Sequence, residues 1–220
     1  MWGFNQPEAM NMFDCCVAAD PSAAMCQWGR AYAAGPFLNK PFSSDEELQL
    51  AQAAVTQARK LADASATITD AEMNLISAFE LRFPSGSNDQ TAGALDYRDY
   101  LRTLITTSSY SSDADLLSMY GEAEMNAMRS QGLNYYENSL QLGHGAPREG
   151  SVNCMKALET AMDLTQYTHP LALHFYIHIT EPLTPMSSLS DTPLNDDDAR
   201  KGEAAGAALA ALNFTGFGHF

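Results

Sequence analysis

Basic residues are scarce in this chain. Its 220 residues hold 12 Lys and Arg against 27 Asp and Glu, a formal net charge of −15. Such a charge repels phosphate backbones and anionic lipid, which argues against nucleic acid or a membrane surface as partner. Long hydrophobic runs are missing too: no segment approaches the roughly 20 apolar residues that span a bilayer. Met1-Trp2-Gly3-Phe4-Asn5-Gln6-Pro7-Glu8 has neither a basic start nor an apolar stretch, so it does not read as a signal peptide. Cysteine is sparse, with Cys15, Cys16, Cys26 and Cys154 only. Adjacent Cys15 and Cys16 do not suit a disulfide with each other, and a chain of this length needs no staples. The expectation is buried free thiols in a reducing, cytoplasmic setting. Asn213-Phe214-Thr215 matches a glycosylation acceptor, discounted for want of a secretory signal. Signatures of common catalysts are also missing: there is no G-x-S-x-G, no G-x-x-x-x-G-K-[ST] and no dinucleotide fingerprint.

What is present is helical spacing between capping residues, and no run alternates as a strand does. Ala9, Phe13, Cys16 and Val17 form one stripe of a helix over Gln6–Asp20, and Trp28 and Tyr32 sit on a second over Ala23–Ala34. Ser44 precedes three acidic residues that suit a helix N-terminus, and Ala51, Ala54, Ala58 and Ala62 then make a small-residue face. Thr69 and Glu72 have the spacing of a capping box. Pro84-Ser85-Gly86 ends that helix, Ser87–Ala94 reads as a polar linker, and Tyr97–Thr106 as the next helix. Ser111-Ser112-Asp113 caps a longer one to about Met128, and a short helix over Tyr135–Leu142 is an open alternative. Further helices follow from Pro147 to Leu164, from Pro170 at a first helical position, and over Asp196–Leu212. The class is all-α, with nine or ten helices in antiparallel pairs.

One spacing says how the pairs are built. Ala9, Phe13, Cys16 and Pro21 follow small-x3-aromatic-x2-small-x4-Pro, and Trp28-Gly29 with Tyr32 follows as W-G-x-x-Y. Small residues let helix backbones approach, and aromatics fill the space between turns. The pattern resembles the tetratricopeptide repeat. Further stretches resemble a divergent group of these proteins. They are Ala24 to Ala31 (A-M-C-Q-W-G-R-A), Gly35 to Asn39 (G-P-F-L-N), Leu75 to Pro84 (L-I-S-A-F-E-L-R-F-P), Met119 to Ala123 (M-Y-G-E-A), and His169 to Glu181. The resemblance implies hairpins stacked as a right-handed solenoid over a single domain, 1–220. Against the group's pattern the chain begins in the second half of a hairpin. It ends where similar proteins continue into further repeats with another H-x-x-x-H, so it reads as truncated at both ends.

Two functional expectations follow. As a repeat scaffold without catalysis, the chain would hold a protein or peptide in a concave face lined by the first helix of each pair. Trp28, Tyr32, Tyr120 and Glu124 lie on such helices and are candidates for core or groove. With Lys40, Lys60, Lys156 and Lys201 as its only lysines, the chain is a poor clamp for a partner's carboxylate, and a basic or neutral peptide suits it better. No cofactor is expected on this reading.

The alternative is a divalent metal site or metalloenzyme on His174, His178 and Glu181. At about 100° per residue these three share one helical face, and two histidines four apart can hold one ion. Phe175 occupies the position where H-E-x-x-H places its general base, which disfavours peptide hydrolysis. His169 lies just before the same helix. On the plainer reading, the histidines are hydrogen-bonded core residues. Gly143-His144-Gly145 reads as a turn, and Asp196-Asp197-Asp198 as a solvated helix start.

Overall fold

Amphipathic stripes fold as helices in the computed structural model, which describes residues 3–107, 109–137, 145–181 and 196–213. In chain order they are α1 (Gln6–Ala19), α2 (Ala24–Ala34), α3 (Asp45–Ala64), α4 (Asp70–Arg82), α5 (Gln90–Thr106), α6 (Ala114–Ser130), α7 (Glu149–Leu164), α8 (Pro170–Thr180) and α9 (Asp196–Ala211). Strands are absent among the described residues, where only the isolated bridges Phe37–Lys40 and Tyr136–Pro147 occur. No helix there is long and apolar enough to cross a membrane.

Several helix starts are side-chain chemistry, whereas Ala23 before α2 and Arg148 before α7 make no side-chain cap. Ser44 with Glu47, and Thr69 with Glu72, each make both arms of a capping box, satisfying amides that the helix leaves open. Asp113 accepts from the Leu116 amide at 3.0 Å. One boundary moves: α5 begins at Gln90, within the stretch expected to be a linker. Asp89 accepts from the Ala92 amide at 2.9 Å, and Gln90 trades hydrogen bonds with the Ser43 backbone, so a polar run becomes a capped first turn. The open alternative near Tyr135 starts as a bend and an isolated bridge at residues 135 and 136, not as a helix, and residues 138–144 lie outside those described. So do the polar stretch 182–195, residues 214 and 215 of the glycosylation pattern, and His219.

The chain divides into two compact units, Gly3–Tyr100 and Leu101–Phe220, with α5 running through the division. In the first, α2 packs on α1, α3 and α4. The alanine face of α3 is buried as its spacing predicts, and Ala58 and Ala62 meet Ala24 and Ile76 in one apolar cluster. In the second, α6 packs on α7 and α8, and α8 packs also on α7 and α9. Fourteen of the 17 residues of α6 are buried, which makes it the axis of that unit. Gly121 lets α7 close on it: a Cβ there would lie 2.7 Å from Leu158 Cδ2 and 2.8 Å from its Cγ. Glu159 of α7 accepts from Tyr176 of α8 and Lys201 of α9, both at 2.7 Å.

The cysteine expectation is overturned. Cys16 and Cys26 are joined in a disulfide, Cys15 is an exposed free thiol and Cys154 a buried one. The cause is register. Phe13 lies against Gly29, Asp14 pairs with Arg30 at 2.7 Å, and this antiparallel seating brings the Cα atoms of Cys16 and Cys26 to 5.6 Å, within bridging range. Adjacency ruled out only the pair Cys15–Cys16. Burial pushes the Cys154 thiol well up, so it stays protonated and inert.

Closing so short a loop lowers the entropy of the unfolded chain by roughly 3 kcal/mol equivalent. Reduction with dithiothreitol is therefore expected to lower the urea midpoint, and the Cys16→Ser/Cys26→Ser double variant to start at that lower value and ignore the reductant. A wild-type midpoint indifferent to dithiothreitol would contradict the bond.

Candidate functional site

The residues singled out by sequence fall into one group in the first unit and three in the second. Trp28 and Tyr32, one turn apart on α2, both face inward. The Trp28 ring lies 5.3 Å from Tyr32 and 4.9 Å from Phe79, and its Nε1–H donates to the Leu75 carbonyl at 3.2 Å. Tyr32 is buried and Trp28 half-buried. Beside them is a residue to which the sequence reading assigned no role. Arg82, also buried, sits with its guanidinium 4.9–5.9 Å from the rings of Tyr32, Phe79, Phe83 and Tyr97. Its Nη2 donates to the Pro36 carbonyl at 2.7 Å. Aromatic faces attract the cation and offset part of its lost hydration. The L-R-F-P run held the signal, since an arginine between Phe79 and Phe83 is placed to lie against both.

Tyr120 and Glu124, one turn apart on α6, are the second group. Glu124 is 1% exposed and its Oε1 accepts from Arg102 Nη2 at 2.8 Å, from Asn153 Nδ2 at 3.2 Å and from the Tyr120 hydroxyl. Arg102 Nε also donates to the Tyr120 oxygen at 3.0 Å. The Glu124 bond raises the Arg102 pKa, and burial pushes the Tyr120 phenol up, so the phenol stays protonated and donating. Arg102 and Asn153 lie on α5 and α7, far from Glu124 in sequence, and no linear spacing points to them. Tyr32, Tyr120 and Glu124 thus work in the interior.

His169 belongs to a third group. Its Nε2 lies 2.9 Å from Asp115 Oδ1, and its Nδ1 lies 3.3 Å from Ser118 Oγ. Carboxylate, imidazole and hydroxyl in line are the parts of a serine nucleophile, but the protons are spoken for. Nδ1 accepts the Ala172 amide at 3.2 Å, capping α8, while the buried Ser118 hydroxyl donates to the Ala114 carbonyl at 2.7 Å. His169 is a cap that ties α8 to α6. The His169 bond holds the Asp115 carboxyl below its usual range.

The fourth group is the histidine face of α8. His174 is fully buried, and its Nε2 lies 2.9 Å from His178 Nε2. Glu181 stands on the other side of the His178 ring, with Oε2 3.2 Å from Nδ1. The three side chains therefore make a line, glutamate to histidine to histidine, and not a triangle of ligands. Among the described residues no cluster of three or more His, Cys, Asp or Glu is placed to hold a metal ion. No family model matches the chain, and neither curated proteins nor solved structures yield a match.

Two outcomes check these assignments. Glu124→Ala leaves Tyr120 and Asn153 without their shared acceptor, and is expected to lower stability by about 3 kcal/mol in urea unfolding. For Asp115 the folded pKa is depressed, so its contribution is complete above the unfolded value of about 4 and fades as pH falls through the folded value. Since Asp115 is mostly solvent-exposed, the contribution is below about 1 kcal/mol. The gap in urea midpoint between wild type and Asp115→Asn should hold near neutral pH and close on acidification.

Proposed function

We propose that the chain is a helical-repeat scaffold that binds a protein or peptide partner and does no chemistry of its own. The observation that carries this reading is the packing order. Within the first unit α2 touches its own partner α3 and the next-but-one helix α4; within the second α6 does the same with α7 and α8. First helices that contact successive first helices are how stacked hairpins propagate into a solenoid, in keeping with the tetratricopeptide-like spacing. The catalytic-looking array at His169 supports the reading from the other side, because its Nδ1 accepts the Ala172 amide at the start of α8 and the Ser118 hydroxyl donates to the Ala114 carbonyl of its own helix.

Of the basic or neutral partners that suit the chain we infer a basic one, since a net charge of −15 attracts it and repels an acidic one. Of the four candidate groove residues, Trp28 is the one that keeps exposed surface, so it is the proposed contact. The disulfide bears on the compartment: such bonds persist where the surroundings are oxidising, and an oxidising compartment is proposed in place of the cytoplasm.

Selection of a random-peptide display library against the purified protein tests the proposal, followed by calorimetry of the enriched peptides at low and high salt. The reading predicts enrichment of Lys and Arg, one-to-one binding, weakening with salt, and a loss of about 10-fold or more with Trp28→Ala in protein shown to remain folded. Enriched peptides without basic bias, or binding indifferent to both salt and Trp28→Ala, would contradict it.

A further inference from the structure

We infer that the first unit takes a basic amphipathic helix, whose apolar stripe lies on a patch formed by Met25, Trp28, Leu61, Ile68 and Met73. The inference rests on the scaffold reading above and gives its partner a place and a class. Ala24 of α2, Ala58 and Ala62 of α3 and Ile76 of α4 form one buried apolar cluster in that unit. The five longer side chains pack against it, and each keeps part of its surface in solvent. They come from α2, α3, α4 and the connection between the last two, so the patch belongs to the packed unit and not to one helix. Methionine is unbranched and adapts its shape to what it meets, while an indole supplies large area at low entropic cost.

Charge indicates what covers the patch. Asp63, Asp70 and Glu72 lie within two positions of Leu61, Ile68 and Met73. Arg59 is already engaged by Glu80, with Nε 3.1 Å from Oε1, and by Asp63 at 3.6 Å, which leaves Lys60 as the neighbouring cation. An apolar patch edged by carboxylates on a chain of net charge −15 complements apolar anchors flanked by Lys and Arg. The patch also restricts the partner's backbone. Trp28 Nε1 is the one strong hydrogen-bonding atom among the five side chains, and it is spent on the Leu75 carbonyl at 3.2 Å. An extended peptide pressed there would lose water from amides and carbonyls and find no replacement. A helix pairs those groups internally and presents only its side chains.

The test uses two Trp-free synthetic peptides of about 18 residues with identical Leu and Lys content. One places leucine at i, i+3, i+4 and i+7, and the other scatters it off any single helical face. Full-length protein carrying Trp2→Phe reports binding through Trp28 emission, and circular dichroism reports peptide helicity. The amphipathic peptide is expected to shift that emission to the blue, gain helicity on binding and bind about 10-fold tighter than its isomer. Ile68→Lys, which sets a like charge under the partner, should weaken it by about 10-fold in protein of unchanged circular dichroism. Equal affinity for the two isomers, binding without gain of helicity, or binding unmoved by Ile68→Lys would overturn the inference. The scaffold reading is judged separately, by whether the display library yields Trp28-dependent basic peptides of any conformation.

Discussion

Close approach between helices, made possible by a missing side chain on one and filled by a large side chain from the other, is the constraint on which each unit depends. In the first unit Phe13 of α1 lies on Gly29 of α2. In the second, Leu158 of α7 lies on Gly121 of α6, with Leu158 wholly inaccessible to solvent. Each contact fixes a register, and the register fixes what else can meet. Seating Phe13 on Gly29 is what brings Cys16 to Cys26 and Asp14 to Arg30. Bringing α7 against α6 is what lets Asn153 reach Glu124. Glycine inside a helix costs about 1 kcal/mol relative to alanine, so its presence at both contacts marks packing that outweighs propensity.

A helix buried on nearly every side poses a second problem, since α6 carries Glu124, Tyr120 and Ser118 into the interior. The structure solves it with polar partners: Arg102 and Asn153 for Glu124, the Ala114 carbonyl for Ser118 and, nearer solvent, His169 for Asp115. These bonds give direction to contacts that apolar packing alone leaves slippery, and they hold α5, α7 and α8 to α6. The same logic places Arg82 among four aromatic rings in the first unit. Glu124 and Arg82, polar residues in the interior, thus take part in the packing of helices.

Much of the fold was legible in the sequence because helix chemistry is local. The capping boxes at Ser44 and Thr69, the Asp113 cap, Pro170 at its helix start and the alanine face of α3 all depend on residues within a few positions. The start of α5 was missed because Ser87–Ala94 is polar and reads as a linker, although its cap, Asp89 on the Ala92 amide, is local; only the added tie of Gln90 to Ser43 comes from another part of the chain. The disulfide was missed because pairing Cys16 with Cys26 needs the register of two helices. At the candidate sites, the shared face of His174, His178 and Glu181 follows from helical spacing, but that Glu181 stands behind the His178 ring depends on rotamers. His169, placed by sequence beside that face, was drawn instead to Asp115 and Ser118 on α6.

Gly121→Ala, measured by urea unfolding alone and combined with Leu158→Ala, tests the central claim most directly. Helix propensity and packing predict opposite signs there. If close approach governs, Gly121→Ala lowers stability by about 1–3 kcal/mol, and in the Leu158→Ala background most of that loss disappears. A gain of about 1 kcal/mol from Gly121→Ala, the value propensity alone supplies, with no coupling to Leu158→Ala, would contradict the account.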